Sequence, residues 1–221
     1  MANASTTGFG LRAVMNVGNT PAPSGQSEYL IQTAPGVATN KGDPMSFNDG
    51  GATAGEAGMV QDASFTLTDD GGAGGTSWTT ATSALLLGVF NGAFYISANG
   101  KPTFANNIVA GQTTATDYNT GSNDITAFII DNPLQEYVVK ADAALAQTLV
   151  GVNPAQPFNT NNYTATDNKD GQSITTIDIG SAASTSMFKL VRSANDPENK
   201  DLTAAGANLI VTIAGDSGLY T

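Results

Sequence analysis

Frequent interruption is the feature that most constrains how this chain can fold. Its 25 Gly and 9 Pro are scattered among Asn, Asp, Ser and Thr, and the apolar residues between them form short β-branched and aromatic runs. Such punctuation favours many short strands joined by turns. The reading is an all-β fold, a mainly antiparallel sandwich or barrel with one short helix and long Gly-rich loops.

Strands are expected at Glu28 to Thr33, Met45 to Phe47, Ile125 to Ile130, Glu136 to Lys140, Ser173 to Ile179, Met187 to Arg192 and Asn208 to Ala214. In the apolar centre, Ala84 to Ile96, the pair Asn91-Gly92 carries the usual two-residue hairpin signature and predicts strand, turn, strand. Asn99-Gly100 repeats it before Lys101 to Phe104, and Asp131, Asn132, Pro133 and Leu134 predict a further turn. The helix is expected from Asp142 as N-cap through Leu145 and Leu149, with Gly151 just past its end. Residues 1–25 read as an extended arm with one apolar island from Phe9 to Val17. Residues 26–221 read as one β-rich domain or two packed subdomains.

Composition narrows function. The chain has no His and no Cys, so it lacks the side chain most readily poised near neutral pH and the usual soft metal ligands. A non-enzymatic structural or binding role, with no cofactor and no metal, is the expectation. A formal charge of −11 opposes phosphate backbones, so no direct nucleic-acid contact is expected. No apolar run approaches the roughly 20 residues of a membrane helix, and no leader peptide is visible, which suggests synthesis in a cytosol without a membrane anchor.

Candidate chemistry is sparse. Asp131 with Glu136, or Asp69 with Asp70, could form a hydrolytic carboxylate pair, but 19 acidic residues make such pairs common. The segment Thr166 to Gly171, TDNKDG, approximates the start of a calcium loop, yet Thr166 fills the first ligand position and Ile177 replaces the bidentate Glu. A turn is the simpler reading. DDGGAGG, from Asp69 to Gly75, has no Lys and is not a phosphate loop. Trp78, Phe90, Phe94, Tyr95, Phe104, Phe128, Tyr137 and Phe188 read mainly as core, with Trp78 the residue most suited to an interface.

Several segments occur in a telling order: Gly8-Phe9-Gly10-Leu11-Arg12, Gly25-Gln26-Ser27-Glu28-Tyr29, Lys41-Gly42-Asp43-Pro44, Leu87-Gly88-Val89-Phe90 with Gly92 and Tyr95, Lys101-Pro102-Thr103-Phe104, and Ile129-Ile130-Asp131-Asn132-Pro133. This ordered set resembles head proteins of tailed bacteriophages of the marine and cyanobacterial type. Ala13 departs from the Pro that often follows the Gly-Leu-Arg run. The resemblance implies a capsid decoration, or cement, protein on the outer surface of the virion capsid, made in the host cytoplasm. Its implied partners are the major capsid protein and itself, as a homotrimer. Under that reading the segment Asn3 to Val17 reaches the shell or a neighbouring subunit, with Phe9, Leu11, Arg12, Val14 and Trp78 as interface candidates. The rivals are a glycan-binding or adhesin-like β module, including a tail or head fibre component, and a carboxylate-driven hydrolase.

Overall fold

The computed structural model describes residues 3–17, 20–21, 25–31, 38–47, 60–62, 67–69, 76–78, 86–109, 125–147, 150, 159–161, 171–181 and 187–214. They form an all-β structure. In chain order the strands are β1 Arg12–Asn16, β2 Thr20–Pro21, β3 Ser27–Leu30, β4 Thr39–Asn40, β5 Pro44–Phe47, β6 Val60–Asp62, β7 Leu67–Asp69, β8 Thr76–Trp78 and β9 Leu86–Ile96. They continue as β10 Pro102–Ala105, β11 Asn107–Ile108, β12 Thr126–Ile130, β13 Gln135–Lys140, β14 Asn159–Asn161, β15 Thr176–Asp178, β16 Phe188–Ser193 and β17 Asn208–Ile213.

Two sheets organise the structure. One runs β16-β17-β13-β1-β2; the other runs β3-β12-β9-β5-β6, with β10 also paired to β9, and curls into a half-barrel. All pairs between these strands are antiparallel. The chain crosses from the curled sheet to the other at the turn after β12. There the Asn132 side-chain oxygen accepts from the Leu134 N–H (2.9 Å), and the buried Tyr137 hydroxyl donates back to the Ile130 carbonyl (3.0 Å). The turn expected at Asp131 to Leu134 is therefore present, as is the Asn99-Gly100 turn between β9 and β10.

Burial follows from this layering. Leu11, Leu86, Val89, Tyr137, Phe188 and Leu209 belong to a core between the sheets, whereas Met45, Leu87, Phe90, Ile108 and Ile129 fill the inside of the curl. The first half of β9 serves both cores. Its residues from Leu86 to Phe90 are buried without alternation, as expected for a strand covered on both faces.

Three sequence expectations are corrected. Asn91-Gly92 does not turn the chain, because β9 runs unbroken through it. Phe90 lies opposite Ile129 and Gly92 opposite Phe128, which leaves Asn91 as an extra, unpaired residue in a β-bulge. Gly92 takes φ +148°, so the pair supplies the conformational freedom a bulge needs instead of a hairpin. Secondly, there is no α-helix among the described residues. The Asp142 carboxylate accepts from the Ile179 N–H (3.0 Å) and the Leu145 N–H donates to Leu202 (2.8 Å), so long-range partners take groups the helix would have used. Leu149 and Gly151 lie outside the described residues. Thirdly, not all the strand aromatics are core: Phe90, Tyr137 and Phe188 are buried, but Phe94, Phe104 and Phe128 are not.

The N-terminal segment docks on its own chain. Asn3 bonds the backbone at Asp201 and Ala205, the Ala4 N–H donates to Glu198, and the Lys140 ammonium donates to the Ser5 carbonyl (2.9 Å). Beyond Leu11, β1 takes an interior place between β13 and β2.

Candidate binding surfaces

Segments far apart in sequence, at Gly10 to Leu11, Gly42 to Asp43, Val89 to Phe90 and Ile129 to Ile130, meet in space. The Leu11 N–H donates to the Gly42 carbonyl (2.9 Å), the Gly42 N–H to Phe90 (2.8 Å), and the Phe90 N–H back to Asp43 (2.9 Å). Gly10, at φ +73°, lets the chain turn into this junction beside Ser173. Phe90 and Val89 pair with Ile129 and Ile130, the Tyr29 hydroxyl donates to Asp131 (2.7 Å), and Thr103 and Phe104 pair with Tyr95 and Phe94. Asp43 sits buried at the centre, its oxygens accepting from the Asn40 N–H (2.7 Å) and the Thr175 hydroxyl (3.1 Å). Burial raises its pKa above the ordinary carboxylate value, and those hydrogen bonds offset part of the shift.

Beside the junction lies a cleft of about 590 Å³ whose lining includes Phe9, Arg12, Lys41, Asn91 and Gln172. The Arg12 guanidinium stands 4.8 Å above the Phe9 ring. Two cations and several amides suit a carboxylate or another small anion, in contrast to the acidic chain as a whole.

The outer face of the curl is different. Because the Asn91 bulge inserts one residue, Phe90 and Phe94 point to opposite sides of β9 although an even spacing would place them together. Phe94 joins Phe104 and Phe128 on the outside, with centroid separations of 4.7 and 6.5 Å from Phe104, which is 76% exposed. Next to them a groove of about 320 Å³ passes over Gly92, bounded by Gln26, Asn91, Phe104, Asn106 and Phe128. The Asn91 side-chain amide donates to the Gln26 side-chain oxygen (2.7 Å).

The individually nominated residues are dispersed. Leu11 is 3% exposed and belongs to its own chain's core, so it has no surface left for a partner. Phe9 and Arg12 line the cleft, and Val14 is 39% exposed on β1. Trp78 lies in β8, opposite Leu67 of β7. Of the carboxylates, Asp131 accepts from Tyr29, whereas Glu136 forms a two-pronged ion pair with Arg192. The two acids thus have separate partners. Asp70 and the segment 166–170 lie outside the described residues. Sequence reading missed the Phe94, Phe104 and Phe128 face; its available signal was Asn91-Gly92, read as a bulge.

Searches of protein-family models, curated proteins and solved structures each found no match to this chain.

Proposed function

We propose that this chain is a capsid decoration protein of a tailed phage, bound to the outer surface of the head through the major capsid protein and acting as a homotrimer without enzymatic chemistry. The observation that carries the reading is the convergence of its family-like segments. From Gly8 to Pro133 they are scattered in sequence, yet hydrogen bonds and strand pairing join them around Gly42, Asp43 and Phe90. Resembling segments that pack against one another support the reading as parts of one structural unit. A fold carries its function only by analogy. The acidic, weakly basic composition also suits an outward-facing protein present in many copies, for which weak contacts add through avidity.

The docked N-terminal segment changes how attachment is tested. Removing it deletes an interior strand, so exposed substitutions such as Val14→Asp and Arg12→Glu are the suitable probes of a shell contact. The decisive experiment is immunogold electron microscopy of phage particles with an antibody against the recombinant chain. Label over the head supports the proposal; label confined to the tail, or absent beside a working positive control, overturns it.

A further inference from the structure

We propose that the groove over Gly92 is a binding site for a neutral glycan, with Phe104 as the stacking platform and Gln26 and Asn91 as the polar recognition pair. This inference does not rest on the capsid reading.

The groove suits a sugar on three counts. Among the described residues its lining is amide, glycine, alanine and phenylalanine, with no ionisable side chain, although the chain carries a formal charge of −11. An uncharged, polyhydroxylated ligand therefore enters without an ion-pairing or desolvated-charge requirement. Phe104 offers a largely exposed ring, and its neighbours Phe94 and Phe128 restrict how that ring can move. Less side-chain freedom remains to be lost when the apolar face of a pyranose stacks there.

The third count is the amide pair. The bond from the Asn91 Nδ2 to the Gln26 Oε1 orients both groups. It leaves the Gln26 NH2 as a donor and the Asn91 Oδ1 as an acceptor on the same rim. Adjacent sugar hydroxyls, each able to donate and accept, match that arrangement. At about 320 Å³ the groove lies at the small end of ligand sites, consistent with one or two sugar rings along a longer chain.

The test is an NMR titration of the full chain with cellohexaose, maltohexaose, xylohexaose, mannohexaose and chitohexaose, using an oligogalacturonate as the anionic comparison. Saturable shifts at Gln26, Asn91, Phe104 and Phe128 with at least one neutral oligosaccharide are expected. Phe104→Ala should weaken that binding at least tenfold and Gln26→Ala several-fold, whereas Leu134→Ala, at an exposed turn, should leave it unchanged. Failure of every neutral oligosaccharide to saturate at millimolar concentration overturns the proposal. So does binding that is insensitive to Phe104→Ala, or equally strong for the anionic chain. Sedimentation supplies the competing outcome: self-association abolished by Phe104→Ser, with no sugar bound, would overturn the glycan site and assign the face to a second copy.

Discussion

Leu11→Ala tests whether the N-terminal segment belongs to the fold. The side chain is 3% exposed and packs in the core between the sheets. Buried Leu→Ala changes cost about 2–5 kcal/mol, less where the surroundings can collapse into the space. Collapse is restricted here because the Leu11 N–H is bonded to Gly42 and the preceding Gly10 N–H to Thr175 (3.2 Å). We therefore expect a loss of about 3–4 kcal/mol, read as a lower midpoint in urea unfolding with an unchanged slope, and a fall in Tm of about 10 °C. Val14→Ala, three residues along the same segment but 39% exposed, should cost less than about 1 kcal/mol. If Leu11→Ala costs under about 1 kcal/mol, or the two variants behave alike, the segment is not docked as described.

Arg192→Met removes the cation paired with Glu136, whose side chain is only 2% exposed, and should cost about 2 kcal/mol. Adding Glu136→Met should restore much of that loss in a denaturation cycle; an additive loss would contradict the pairing argument. Asp43→Asn should change the pH dependence of stability. Burial raises the Asp43 pKa in the folded protein, so between the ordinary value near 3.8 and the raised value the native state holds the extra proton. Stability from this group therefore falls as pH rises through that window. The stability of the wild type minus that of the Asp43→Asn variant should decline over the same range, and a flat or rising difference would refute the burial argument. Gly92→Ala must accept a positive φ and place a Cβ 3.2 Å from the Ala105 carbonyl oxygen, so it should cost about 1–3 kcal/mol by thermal unfolding. A neutral result would deny the bulge geometry.

Strands were the most legible part of the sequence because their apolar and β-branched runs record local burial. Met45 to Phe47, Ile125 to Ile130, Glu136 to Lys140 and Asn208 to Ala214 fall within or beside observed strands. Long-range choices were less legible. β1 finds its place by pairing Arg12 with Val138 and Ala13 with Tyr137, contacts no local pattern announces. Asp142 resembles a helix cap until its carboxylate is claimed by Ile179. Asn91-Gly92 reports a need for unusual backbone conformation without saying whether the strand will turn or bulge. That ambiguity concealed the candidate glycan groove, because the bulge alone reverses which side of β9 Phe94 occupies.

The interior position of β1 also sets an order of events during synthesis. Met15 is 120 residues from Gln135, whose side chain bonds its carbonyl, and Asn3 is 198 residues from Asp201. At about 5–20 residues per second, the ribosome needs about 6–24 s after making Met15 to deliver its partner strand. The start of the chain must wait for its own late-made segments before it can settle. Completion of that sheet is thus tied to synthesis through β17, and a product ending before β13 would leave Arg12, Ala13, Met15 and Asn16 without the strand they pair with.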